Sequence, residues 1–158
     1  PALRRLEKQD LACARQLLFH WTSWVRARGP SGLVDLKVIQ SLAERVFEIA
    51  RGEEQWIEPW SLGMIVGLSA SGPDTIPNME IYFRRAQELQ PGLSIPSIER
   101  LSFGIRHGDS GSHIRTELRQ WSSKPFAVHD NAAWALENRA SLKRAIDLLG
   151  GLREPEAN

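Results

Sequence analysis

The chain has a single cysteine, Cys13, among its 158 residues. One thiol closes no internal disulfide and builds no cysteine-rich zinc site, so a reducing, cytoplasmic setting is expected. Long apolar runs are missing too. The best, Leu62 to Ala70, falls far short of the roughly 20 residues that a membrane-spanning helix needs. No secretory leader is legible, and no membrane partner is expected. Internal repeats and a coiled-coil-length heptad seam are also lacking, as is any glycine-rich phosphate loop of the P-loop or dinucleotide type. The net charge is only +1, which by itself names no partner.

What is present is an ordinary globular composition, 42% hydrophobic and 25% charged, in a length that buries a real core. The apolar residues recur mostly at helical spacing, and the expected fold class is all-α: a compact bundle of six to eight short helices in one domain over 1–150, with a disordered tail over 151–158. A first helix is expected from about Leu3 to Ala27. Its core stripe is Leu3, Leu6, Ala14, Leu17, Leu18, Trp21 and Val25, with one longer gap at Asp10. Arg28-Gly29-Pro30-Ser31-Gly32 stops it. The second, about Val34 to Arg51, is the cleanest: Leu36, Ile39, Leu42, Ala43, Val46, Ile49 and Ala50 share one face, and Gly52 suits the residue beyond its end.

A third helix should open near Pro59. It is apolar nearly all round, so it reads as the most buried helix. Trp56 and Trp60 flank a polar segment there and are expected to be partly exposed. Ser71 to Asp74 reads as a loop, and Met79 to Leu89 as a fourth helix. Ser94 can cap a fifth, with Pro96 in its first turn, reaching Arg106. Ile114, Leu118 and Trp121 mark one face of a sixth. Lys124-Pro125 breaks the chain. Asp130 then caps a last stretch to Leu149, with Trp134, Leu142, Ile146 and Leu149 inward and two helices meeting near Asn138 as an open alternative.

Catalytic constellations are sparse. Gly108-Asp109-Ser110-Gly111 has the short pattern found around the nucleophile of trypsin-like proteases. That chemistry also needs a remote His and Asp and an oxyanion hole on two β-barrels, and this sequence offers no strands. Position 112 is Ser, so the Gly-x-Ser-x-Gly elbow fails as well. The segment reads as a polar turn before a helix. His107, Asp109 and His113 lack the helical His-x-x-x-His spacing of a metal site, and His20 and His129 stand alone. Glu53, Glu54 and Glu58 read as a solvated acidic patch. No catalytic residue, no metal ligand and no cofactor is expected, and the chain is read as a non-enzyme.

The remaining signal is arginine: 16 of the 20 basic residues. Its planar fork favours phosphate and carboxylate, although a GC-rich genome also raises arginine without any function. From Ile81 to Arg144 there are ten basic residues against six acidic ones. The series is Arg84, Arg85, Arg100, Arg106, Arg115, Arg119, Lys124, Arg139, Lys143 and Arg144. Arg115 and Arg119 lie four apart on one helix and share a face, as do Arg139 and Lys143. Helices presenting such pairs to one side would track nucleic-acid backbone, RNA or DNA, without reading bases.

In order along the chain come Gly67-Leu68-Ser69-Ala70, Phe83-Arg84-Arg85-Ala86, Ile98-Glu99-Arg100-Leu101-Ser102-Phe103-Gly104-Ile105-Arg106, Ile114-Arg115-Thr116-Glu117-Leu118-Arg119 and a helix around Asp130 to Leu136. From about Trp60 to Leu149 this pattern resembles the helical small subunit, CasB-type, of type I CRISPR surveillance complexes (Cascade). It departs at Arg106-His107-Gly108, where that family reads Arg-Ala-Asp, and in the first fifty residues. The resemblance implies a non-catalytic subunit of an antiviral ribonucleoprotein. Such a subunit lies along crRNA and steadies the displaced DNA strand among other protein subunits.

A shorter stretch, Leu17-Leu18-Phe19-His20-Trp21-Thr22-Ser23-Trp24-Val25-Arg26, resembles the opening Trp-x-x-Trp segment of phage Q-type transcription antiterminators. That resemblance implies contacts with RNA polymerase and DNA. A helical adaptor or inhibitor working through an apolar patch is the third reading, and a homodimer is compatible with each.

Overall fold

The computed structural model describes residues 3–52, 56–69, 76–108, 112–123 and 135–152. Among the described residues there are seven α-helices and no strand, so the fold is all-α. The contacts divide the chain into two compact units, Pro1–Leu89 and Gln90–Asn158.

The first unit opens with two 3-10 turns, Leu3–Arg5 and Lys8–Asp10, followed by α1, Leu11–Arg28. The expected start at Leu3 is therefore corrected to Leu11. The Glu7 backbone N–H donates to the Asp10 carboxylate at 2.9 Å, closing a capping box that fixes the chain's entry eight residues later. The inward stripe shifts as well. Leu11, Ala14, Leu18, Phe19 and Val25 are buried, whereas Leu17, expected inside, is 48% exposed. Thr22 joins the buried face because its hydroxyl donates to the Leu18 carbonyl at 2.7 Å.

α1 stops at Arg28, and a 3-10 stretch over Gly29–Asp35 leads to α2, Leu36–Ala50. Here the periodicity holds: Ile39, Leu42, Ala43, Val46, Ile49 and Ala50 are all buried. Gly52 follows at φ 77°, a left-handed conformation that a side chain would strain.

α3 spans Ile57–Ser69, beginning two residues before Pro59. Trp56 and Trp60 are buried, against the expectation of partial exposure. Their rings lie 6.0 Å apart, and the Arg15 guanidinium sits over the Trp56 ring, 5.4 Å from its centre. α4 runs Ile76–Leu89, with Met79, Phe83 and Ala86 inward. α3 packs against both α2 and α4. A Cβ at Gly63 would meet the buried Phe83 ring at 3.0 Å, so the glycine is what lets α3 and α4 approach.

In the second unit α5 spans Ile95–Arg106, α6 Ser112–Ser123 and α7 Ala135–Gly151. Every residue from Leu93 to Gly104 is buried, so α5 rather than α3 is the most enclosed helix. Ile98, Leu101, Ile114, Leu118 and Ala145 form its core, with Ile105, Trp121, Leu148 and Leu149 packed on it. Ser94 stands at the expected cap position but makes no capping bond. Its hydroxyl and backbone N–H both donate to the Asn138 side-chain oxygen, at 3.0 and 2.8 Å.

Asn138 also donates to the Gly92 carbonyl at 2.9 Å, and α7 runs through it without a break. Ile146, expected inward, is 55% exposed. Ala145 takes its place in the core. The loop over 71–74, Asp109 to Gly111, Lys124 to Trp134 and the tail from Arg153 lie outside the described residues. Among the described residues, no helix is long and apolar enough to cross a membrane.

Candidate nucleic-acid interface

The ten basic residues fall into three structural groups. Arg84 and Arg85 belong to the first unit, on the exposed side of α4. Each pairs along its own helix: Arg84 with Glu80 at 2.6 Å, Arg85 with Glu88 at 3.1 Å. Such exposed pairs are common on helix surfaces and are worth little.

Arg100 and Arg144 are turned inward. Arg100 is 8% exposed and forms an ion pair with Glu117 of α6. Arg144 binds Glu99 at 2.5 Å and the Ser102 hydroxyl at 2.7 Å, both on α5. Neighbouring residues of one helix thus reach two different helices, Glu99 to α7 and Arg100 to α6. These two arginines link α5 to α6 and to α7. Their partners lie 45 and 17 residues away in sequence, so no local pattern reveals them.

The third group faces outward. Arg106 ends α5, Arg119 lies on α6, and Arg139 and Lys143 lie on α7, all exposed; Arg115 on α6 is half-buried. Lys124 lies outside the described residues. The spacing does what the sequence predicts: Arg115 and Arg119 share a side of α6, Arg139 and Lys143 a side of α7, about 6 Å apart along each axis. α6 and α7 pack on each other.

Acidic groups are distributed in the opposite sense. The described acids of this unit are Glu99, Glu117, Glu137 and Asp147. Glu99 and Glu137 are buried, Glu117 is held by Arg100, and Asp147 alone is exposed. Among the described residues, then, three of the four carboxylates are buried or paired while Arg106, Arg119, Arg139 and Lys143 face outward.

Of the other sequence candidates, His107 closes α5, its N–H donating to the Phe103 carbonyl at 3.0 Å. His113 is exposed in the first turn of α6 and, with Thr116, Gln120 and Trp121, lines a shallow hollow of about 500 Å³. His20 is exposed and packs edge-on against Phe19 at 5.2 Å. Among the described residues, no group of three His, Cys, Asp or Glu side chains could hold a metal ion. Asn138, Glu99 and Ser102, which fix the helices that carry the basic pairs, were missed by sequence reasoning. Nothing within a few residues of any of them signals the role. No family model, no curated protein and no solved structure matches this chain.

Proposed function

We propose that the second unit contacts nucleic-acid backbone through the outward side chains of α6 and α7, as a non-catalytic subunit of a larger ribonucleoprotein assembly. The single observation that carries this reading is the inversion of charge with depth: Glu99, Glu117 and Glu137 turned in or paired, Arg106, Arg119, Arg139 and Lys143 turned out. Guanidinium and ammonium groups turned toward solvent can meet phosphates and release their counterions, a contact insensitive to base sequence. The resemblance to the Cascade small subunit over 60–149 supports the same reading and would imply contact with crRNA and the displaced strand.

The test is the quadruple variant Arg115→Ala, Arg119→Ala, Arg139→Ala and Lys143→Ala, compared with the native chain on unrelated single strands and duplexes across a salt series. Each lost phosphate contact should flatten the slope of log K against log salt by about 0.7 to 0.9. The loss should be similar on every sequence, with the helical circular dichroism unchanged. Binding that keeps its slope without the four side chains rejects the proposal. Binding that survives only on one DNA element favours the antiterminator reading.

A further inference from the structure

Asp147 is the exception to the charge inversion of the second unit. It is the one exposed carboxylate among the described residues of that unit, and no hydrogen bond or ion pair among them holds it. Its place on α7 gives it a consequence. Arg139, Lys143 and Asp147 are all exposed and follow one another at intervals of four. Residues four apart stand about 6 Å apart along a helix and share a face, so the three form one row. Glu137, Ser141, Leu142 and Ala145, on the opposite side of α7, are buried, which fixes the row toward solvent.

The row changes sign along its length. Arg139 and Lys143 are followed by a carboxylate, and beyond it α7 ends at Gly151 with no basic side chain in its last turn. The last carbonyls of a helix carry partial negative charge, and no cation of that turn offsets it here. α5 differs, because Arg106 stands in its last turn. Asp147 lies about 6 Å along the axis from Lys143, inside the roughly 10 Å screening length of 0.1 M salt, so its field reaches a phosphate held by Lys143. A phosphate further along the row meets the carboxylate at closer range and is repelled.

We infer that Asp147 delimits the proposed contact: it closes the basic row, so a bound phosphate backbone engages α7 at Arg139 and Lys143 and leaves the helix before its C-terminal turns. The inference rests on nucleic-acid binding by the second unit and adds which stretch of α7 the strand follows and what stops it. The Asp147 side chain is exposed and makes no bond among the described residues, so replacing it changes the field and not the fold.

The measurement is the affinity of the full chain for a fluorescein-labelled, mixed-sequence single-stranded DNA, read by anisotropy across a salt series. Asp147→Lys places a third cation in the row. It should tighten binding about fivefold or more at low salt and steepen the slope of log K against log salt by about 0.7, one further phosphate on a single strand. Asp147→Asn removes the repulsion without adding a contact, and should tighten binding about twofold with the slope nearly unchanged. Glu44→Lys makes the same change of charge at an exposed acid on α2 of the first unit and should do much less. Circular dichroism checks the fold of each variant. The quadruple alanine variant at Arg115, Arg119, Arg139 and Lys143 is measured beside them. If it flattens the slope but Asp147→Lys leaves the slope unchanged, the strand does not run toward Asp147, and the inference fails while the proposed function stands. Equal gains from Asp147→Lys and Glu44→Lys would assign the effect to net charge and overturn the inference as well. A quadruple variant that binds like the native chain removes the proposed function and this inference with it.

Discussion

The two units differ in where the hydrogen bonds and ion pairs of their buried polar side chains lead. In the first, three of them turn to their own helix or to an aromatic ring: Thr22 donates to the Leu18 carbonyl, Ser61 to the Glu58 carbonyl, and Arg15 lies over Trp56, while the half-buried Arg45 reaches back to the Leu6 carbonyl at 3.1 Å. Between α2, α3 and α4 the packing is apolar, with Leu42, Met64 and Phe83 fully enclosed. In the second unit the polar contacts run between helices: Arg100 to Glu117, Glu99 to Arg144, Asn138 to Ser94 and Gly92. Apolar attraction is non-directional, whereas ion pairs and amide hydrogen bonds are directional. The second unit therefore fixes which sides of α6 and α7 face out. Those sides carry Arg119, Arg139 and Lys143.

The largest effect that would break this comparison is Arg144→Met. It leaves Glu99, fully buried, without its charged partner, and losing one member of a buried pair costs about 3 to 5 kcal/mol. Urea denaturation gives the total, and hydrogen exchange read peptide by peptide should place the loss in α5 and α7. Adding Glu99→Leu removes the stranded charge and should recover most of that loss. If the double variant is no more stable than the single, the pair is not what governs the second unit's stability. In the first unit the matching change is Leu42→Ala. Truncating a fully buried leucine there costs about 2 to 5 kcal/mol, with the exchange loss in α2 and α3.

Gly63→Ala is a subtler probe of the apolar side. Alanine gains up to about 1 kcal/mol over glycine within a helix. Its methyl group would meet the Phe83 ring at 3.0 Å, and overpacking of this kind costs about 1 to 3 kcal/mol. Phe83 is fully buried and has little room to give. The clash should win, leaving a net loss of about 1 kcal/mol in thermal or urea unfolding. A stabilised variant would mean that α3 and α4 separate easily.

What the sequence shows of this fold follows from the range of the interactions. α2 is legible because six inward positions repeat along one face and a left-handed glycine follows its end. The inward face of α1 is misread at Leu17, because Arg15 and Thr22 are buried through contacts that hydrophobicity does not register. Ile146 is misread for the complementary reason. A small residue, Ala145, sits where close approach is needed, and the larger apolar side chain is left outside. Within the basic series, the i, i+4 pairs on α6 and α7 follow from helical geometry alone. That Arg100 and Arg144 point inward follows only from the tertiary fold, since Glu117 and Glu99 come from other helices.

The smallest expected effect concerns Arg84 and Arg85, the members of the basic series that belong to the first unit. Both are exposed and each lies within ion-pair distance of a glutamate one turn away on α4. Such pairs contribute at most about 0.5 kcal/mol, so Arg84→Ala and Arg85→Ala should leave the unfolding midpoint almost unchanged. Their effect on nucleic-acid binding should be small for the same reason. Before a phosphate can take either guanidinium, the contact with Glu80 or Glu88 must loosen, and that carboxylate stays close enough to repel the strand. Arg139 and Lys143 have no ion-pair partner among the described residues. The double variant at 84 and 85 should thus flatten the salt slope less than the double variant at 139 and 143, measured on the same strands. Equal flattening by the two doubles would show that neutralising glutamates do not matter here, and the contrast in charge placement between the units would lose its functional meaning.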